Sequence, residues 1–179
     1  LVEQRITLKI AEEIGARRAE IATALAPLVS AAYTRLVGRS VTVEVVLRPS
    51  WADATDPLAA LGACRGEDVR RRVSTVGPHR DDVNLVLGGL PARTQASQGE
   101  QRSLALALRL GVHRLVAERV GQPPVLLLDD VFSELDAGHS RALVELLPAG
   151  QALLSTAGDL PSGVAPELTV RLAGGRIVA

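Results

Sequence analysis

The spacing of hydrophobic and polar positions changes several times along this chain, and each change marks an element. Over residues 1–36, apolar side chains recur at Ile6, Ile10 and Ile14, then at Ile21, Leu25, Leu28 and Val29, with charges between them. That spacing predicts an amphipathic helix, in which Pro27 should introduce a kink or a break. Glu12, Glu13, Arg17 and Arg18 sit at spacings that support an exposed helix face. The segment fits a helix hairpin or part of a coiled-coil arm, and equally an ordinary helix lying on a core. Gly38-Arg39-Ser40 interrupts the pattern, and residues 41–47 then alternate strong β-formers, which predicts a strand. Residues 49–57 read as a loop anchored by Trp51, and residues 58–72 as a second helix.

A further strand is predicted at residues 83–87, followed by a turn at Gly88-Gly89 and a return from Leu90. Residues 104–120 form a long apolar-rich helix. Val125-Leu126-Leu127-Leu128 is apolar without interruption, as expected of a strand buried on both faces. Residues 137–147 predict a helix closed by Pro148 and Gly150, and residues 151–156 a strand. Residues 168–172 and 177–179 flank Gly174-Gly175 as two last strands. Helices alternating with apolar strands predict an α/β fold, with the final pair as an antiparallel hairpin at the sheet edge.

Composition narrows the function classes. With 179 residues, 47% hydrophobic and 22% charged, the chain can bury a core. Its formal net charge of zero excludes bulk attraction to a polyanion, so any nucleic-acid surface must be local. No apolar run reaches about 18 residues, and the N-terminus lacks the basic-then-apolar order of a secretory signal. The single cysteine, Cys64, excludes an internal disulfide and suits a reducing compartment. These features predict a cytoplasmic protein without a membrane partner. A chain that starts at Leu1 and holds no methionine is expected to be a piece of a longer protein.

Two stretches carry chemistry. Ser97-Gln98-Gly99-Glu100, opening the long apolar helix, is a capping box. The same helix start offers backbone N–H groups and a dipole to an anion, and Gly99 lets a phosphate come close. Asp129 and Asp130 stand at the carboxyl end of an apolar strand, where ligand groups collect in open α/β sheets. Neighbours on a strand face opposite ways, so the two carboxylates would do different work. One would hold Mg²⁺ and the other would polarise the attacking water in phosphoanhydride hydrolysis. The plainer reading is a polar strand end that caps the next helix. In Gly77-Pro78-His79-Arg80-Asp81-Asp82, His79 and Arg80 are candidate contacts to a nucleotide or a DNA phosphate. The loop is equally a turn fixed by Gly and Pro, with Arg80 paired to Asp81 or Asp82. Arg70-Arg71-Arg72 could meet phosphates, or could complement a helix dipole.

In chain order, Ser97-Gln98-Gly99-Glu100-Gln101 resembles the signature motif of the ABC ATPase superfamily. Val125-Leu126-Leu127-Leu128-Asp129-Asp130 resembles its Walker B, and Ser133-Glu134-Leu135-Asp136 its D-loop. Together with Gly77-Pro78-His79-Arg80-Asp81-Asp82, these motifs resemble the RecF family, bacterial recombination mediators related to Rad50 and the SMC proteins. The resemblance is strong over residues 73–179 and looser before. It implies the C-terminal part of an ABC-type ATPase head, a mainly parallel sheet with flanking helices. Residues 1–72 would be a helical arm segment with one strand, and residues 73–179 the ATPase lobe. By resemblance, Asp129 would hold Mg²⁺. Asp130 stands where many relatives carry a catalytic Glu, and its shorter side chain suits slow hydrolysis. Ser97, Gln98, Gly99 and Glu100 would contact ATP held by the opposite protomer of a homodimer. Ser133 and Asp136 would couple the two sites. The family further implies binding to DNA at gaps and single-strand/double-strand junctions. It also implies work with RecR and RecO to load RecA, in replication, repair and the SOS response.

The chain departs from the family pattern in three places. A Walker A loop needs Gly-Lys followed by Ser or Thr, and the only lysine is Lys9, in Leu8-Lys9-Ile10. No Q-loop is visible. This chain alone should therefore not hydrolyse ATP, while its parent would be a weak DNA-dependent ATPase. The switch histidine of transporters is missing: the late strand ends Ser155-Thr156-Ala157-Gly158-Asp159, and His79, His113 and His139 lie elsewhere. Thr156 becomes the candidate γ-phosphate sensor. The competing readings are another SMC-like, Rad50-like or transporter ATPase, and a non-catalytic binding module that kept the fold. Intact Ser97, Gly99, Asp129, Asp130 and Asp136 speak against the last.

Overall fold

The structure, a computed structural model, describes residues 2–52 and 56–178, with side chains described from residue 8 onward. The expectations placed on Leu1, on the Ile6 side chain, on loop residues 53–55 and on Ala179 lie outside the described residues. The chain divides into two compact units, Leu1–Pro124 and Val125–Ala179. The boundary expected between residues 72 and 73 falls inside the first unit.

In the first unit, Val2–Val37 form one helix, α1, with Pro27 inside it. The helix does not end at the proline, and the segment is not a hairpin. A mid-helix proline costs about 3 kcal/mol. The buried stripe Ala22, Leu25, Val29, Ala32, Tyr33 and Leu36 offsets that cost. Ile10, Ile14 and Ile21 are 56%, 37% and 45% exposed, so the larger isoleucines of the pattern do not mark the packed face.

The stripe packs on α4 (Gln98–Val120), whose inner face buries Ser103, Leu104, Ala107, Leu110, Gly111 and His113. Gly111 sets the closeness of that contact. A Cβ built there would lie 2.9 Å from Val29 Cγ2 and 3.2 Å from the Val29 backbone nitrogen. His113, buried, donates from Nε2 to the Pro124 carbonyl at 2.7 Å and ties α4 to the segment that follows it.

Helix α1 also packs on β1 (Val43–Arg48), the first strand of an antiparallel sheet completed by β2 (Asp82–Leu87) and β3 (Leu90–Pro91). Val43 pairs with Leu87, and Arg48 with Asp82. Gly88 and Gly89 both have positive φ, 57° and 83°, as the two-residue hairpin turn requires. The second helix, α2 (Pro57–Arg71), is capped by Asp56, whose side chain accepts from the Leu58 N–H. A one-turn helix, α3 (Ala92–Gln95), was not foreseen; it bridges β3 to α4.

In the second unit, β4 (Leu126–Asp129) and β5 (Ala152–Ser155) form a parallel pair joined through α5 (Ala137–Leu146). The expectation that β4 is buried on both faces is corrected. Leu126 and Leu128 are each 7% exposed, while Leu127 is 68% exposed and its register partner Leu153 is 55% exposed. Within this chain the residues on one face of the strand pair are covered and those on the other are not, so burial alternates although the sequence does not. The last hairpin, β6 (Arg171–Ala173) with β7 (Arg176–Val178), is a sheet of its own and is not hydrogen-bonded to the edge of β4–β5. Among the described residues no helix is long and apolar enough to cross a membrane.

Candidate functional site

The start of α4 is a complete capping box. Ser97 Oγ accepts from the Glu100 N–H at 3.3 Å. Glu100 Oε2 accepts from the Ser97 N–H at 3.0 Å and from Ser97 Oγ at 2.9 Å. The Gln101 N–H makes the first helical bond, to the Ser97 carbonyl at 2.9 Å. The N–H groups of Gln98 and Gly99 belong to the first turn, which an α-helix leaves without intrahelical partners. Ser97, Gln98 and Gly99 are all exposed. The two hydrogen bonds from Ser97 hold the Glu100 carboxyl below its usual range, with Arg39 adding to the effect.

Gly99 is informative because the fold does not need it. Its φ is not positive, and a Cβ built there meets nothing within 4 Å. A glycine inside a helix weakens it relative to alanine. Gly15, Gly62 and Gly66 share these properties, so what sets Gly99 apart is its place in an exposed first turn whose leading N–H groups lack intrahelical partners.

In the second unit, Asp129 and Asp130 close β4, and both are exposed. Asp130 sits in the left-handed region at φ 48°, which Asp tolerates better than most residues. Its N–H donates to the Ser155 carbonyl and to Ser155 Oγ, each at 3.1 Å. Ser155 Oγ in turn donates to Asp129 Oδ1. A single hydroxyl therefore fixes both acidic positions, and sequence reasoning missed it. The signal available was the parallel register that places Ser155 opposite Asp129. Thr156, the candidate sensor, bonds locally instead: its Oγ1 accepts from the Gly158 N–H at 3.1 Å.

The D-loop candidates are placed beside the strand end. Ser133 Oγ donates to the Asp130 carbonyl at 2.8 Å, in the short 3-10 turn Val131–Glu134. Asp136 caps α5: Oδ1 accepts from the His139 N–H at 2.9 Å, and Oδ2 meets His139 Nδ1 at 2.7 Å. These bonds hold the Asp136 carboxyl below its usual range. Asp129 and Asp130 form an open acidic edge, and among the described residues no three His, Cys, Asp or Glu side chains converge on a metal position. One carboxylate with the remaining ligands from water and phosphate is how Mg²⁺ is commonly held at nucleotide sites, so Asp129 fits that group.

The Gly77-to-Asp82 loop is a structural knot in the first unit. The Asp81 side chain, 3% exposed, takes Arg18 of α1 at 2.8 Å and the Ser50 N–H at 3.0 Å. Arg18 also donates to the Pro78 carbonyl, and Ser50 Oγ donates to the Gly77 carbonyl at 2.9 Å. The proposed pairing of Arg80 with Asp81 or Asp82 is corrected, because Arg18 occupies Asp81 and Arg93 lies 3.7 Å from Asp82. Arg80 Nε and His79 Nε2 both donate to the Ser74 carbonyl, at 2.9 and 3.1 Å, and both residues are exposed. Arg70 and Arg71 pair with Glu67 one turn back on α2.

No family model matches the chain. It is 40% identical over 164 residues to the DNA replication and repair protein RecF of Streptomyces avermitilis, covering 86% of this chain and 44% of that protein. It is 44% identical over 141 residues to the same protein of Moorella thermoacetica, covering 77% of this chain and 38% of that one. The chain thus spans less than half the length of these relatives. Among solved structures it matches the recombination mediator protein RecF-ATPrS in the RecFOR pathway, with TM-score 0.75 and 25% identity over 98% of this chain and 50% of that one. The corresponding RecF-ATP structure matches with TM-score 0.75 at 24% identity, a likeness of fold.

Proposed function

We propose that this chain, which corresponds to the C-terminal portion of RecF, carries the trans-acting half of an ATP-operated DNA clamp. Two copies of the parent protein would face each other with ATP between them. The start of α4 in one protomer would bind the γ-phosphate of the ATP held by the other. The observation that carries this reading is the exposed capping box at the start of α4, where Ser97, Gln98 and Gly99 leave first-turn N–H groups without intrahelical partners. Two relatives named as DNA replication and repair proteins, and neighbours named with ATP and with a recombination pathway, support the same reading.

The chemistry follows from the residues. A triphosphate approaching the first turn of α4 meets the N–H groups of Gln98 and Gly99 and the positive end of the helix dipole, and the Ser97 hydroxyl once its one proton turns from Glu100 Oε2 to the phosphate. Mg²⁺, when bound, neutralises phosphate charge, and Asp129 is the residue that would hold it. Asp130 would accept a proton from the attacking water, its N–H held by Ser155. Ser133 would hold the turn after Asp130, and Asp136 the start of α5, so the D-loop would report closure to both sites. Thr156 stays a candidate contact to the γ-phosphate, with Ser155 closer to the acids. His79 and Arg80 remain candidate DNA or nucleotide contacts on an exposed loop. The parent would act in the cytoplasm as a slow, DNA-dependent ATPase at gaps and junctions, with RecR, and with RecO and RecA downstream.

The test uses the full-length protein. Ser97→Arg should abolish ATP-dependent dimerisation, measured by light scattering. Asp130→Asn should accumulate the ATP-bound dimer on gapped DNA. Gly99→Ala should keep or raise thermal stability yet weaken the ATP-dependent dimer. Wild-type dimerisation by Ser97→Arg and Gly99→Ala together would reduce the α4 start to a cap and leave a non-catalytic binding module.

A further inference from the structure

The carboxylate that builds the capping box presents an electrostatic problem to any phosphate. Glu100 Oε2 lies 2.9 Å from Ser97 Oγ, the atom meant to touch the anion, and the lowered Glu100 pKa keeps that carboxylate charged. Like charges this near oppose each other unless a cation offsets one of them. The structure supplies that cation from another element. Arg39, in the turn between α1 and β1, places Nη2 2.7 Å from the second Glu100 oxygen, Oε1. The two oxygens are thereby divided, one to Ser97 and one to Arg39.

A second observation marks the same spot. Tyr33 of α1 is fully buried, and its hydroxyl lies beside Arg39, close enough for that side chain to act on it as a hydrogen-bond partner although the contact falls short of full hydrogen-bond geometry. Burial raises the Tyr33 pKa, the Glu100 carboxylate raises it further, and Arg39 opposes the rise. The hydroxyl therefore lies within the field of the Arg39–Glu100 pair. A buried hydroxyl left without any partner is costly, and Arg39 is the side chain placed to relieve it.

We propose that Arg39 is the counter-charge that admits a nucleotide γ-phosphate to the start of α4: by holding Glu100 it offsets the carboxylate bound to Ser97. Arg39 is a positioning residue, acting through Glu100 and not on the phosphate itself. Because Arg39 lies in the turn that follows α1, it ties the end of the arm helix to the anion site. The inference rests on the reading of Ser97 as a γ-phosphate contact.

The experiment is a charge cycle in the full-length protein, reading the ATP concentration for half-maximal dimerisation. Arg39→Ala should raise it about fivefold at low salt, as expected for one partly exposed charge, with the defect shrinking as salt screens it. Glu100→Gln keeps the capping box, since Gln serves at that position. The double variant Arg39→Ala with Glu100→Gln should match Glu100→Gln alone, because a neutral amide needs no counter-charge. Arg39→Ala that dimerises like wild type overturns the proposal. So does a double variant as impaired as Arg39→Ala, since Arg39 would then act by packing alone. Ser97→Arg in parallel separates the two levels. If it abolishes dimerisation while Arg39→Ala does nothing, only this inference falls; if it too dimerises normally, the clamp reading falls with it.

Discussion

Ser155 shows how much one hydroxyl can organise. It is opposite Asp129 in the parallel register, donates to that carboxylate, and accepts from the Asp130 N–H. Asp129 and Asp130 were legible in the sequence because a pair of acids after an apolar run is visible in the chain itself. Ser155 was not, because its role depends on which residue of a distant strand lies alongside. Thr156 was a reasonable choice from chain order and lies one residue from the position that touches the acids. Arg80 makes the same point. Two aspartates follow it in sequence, yet Arg18, sixty-three residues from Asp81, takes the buried one.

The residue scale also sets the acid response. Asp68, Glu100 and Asp136 all have carboxyls held below their ordinary values, each first by hydrogen bonds from Thr75, Ser97 and His139 respectively. A carboxyl depressed on folding stabilises the native state fully above its unfolded pKa, and that contribution is lost as pH falls through the folded value. Stability should therefore be level above about pH 5 and decline as pH drops below the ordinary carboxylate range. Asp136→Asn keeps an N-cap acceptor but no longer titrates. Thermal unfolding from pH 7 down to pH 3 should show a shallower decline for Asp136→Asn, while Asp68 and Glu100 keep it from vanishing. An unchanged slope would show that the His139 bonds do not discriminate between protonation states.

At the scale of elements, the long helices were read correctly in kind and less well in face. The α4 start was legible because Ser-x-x-Glu is a local signal, and the structure builds both of its reciprocal bonds. The α1 helix was legible and its packed face only in part: Leu25 and Val29 of the pattern lie buried against α4 at Gly111, while three isoleucines of the same pattern remain exposed. Close approach of two helices selects small residues, and Gly111 is where that selection is strictest. Gly111→Ala should destabilise the full-length protein by about 1–3 kcal/mol, as overpacking does, although alanine is ordinarily the better helix former. Urea unfolding checks the sign. A stabilised variant would mean that α1 and α4 separate easily, and would weaken the link from Arg39 to the α4 start. For β4, this chain covers Leu126 and Leu128 and leaves Leu127 exposed. A continuous apolar run states what a strand can tolerate, and only its neighbours decide which face is covered.

At the scale of the whole molecule, two units carry the two kinds of motif. The capped start of α4 lies in Leu1–Pro124, and the acidic strand end with the D-loop candidates lies in Val125–Ala179. In the proposed dimer each nucleotide would use the acids of one protomer and the Ser97 helix start of the other. The most direct measurement of that claim mixes two full-length variants, Ser97→Ala and Asp130→Asn, each expected to be deficient by itself in the proposed DNA-dependent ATP hydrolysis. A mixed dimer has both lesions in one site and an intact second site. The account predicts that mixing restores hydrolysis. If the mixture remains as inactive as its components, while mixed dimers are shown to form, each site is built within one protomer and the trans-acting role of this chain is contradicted.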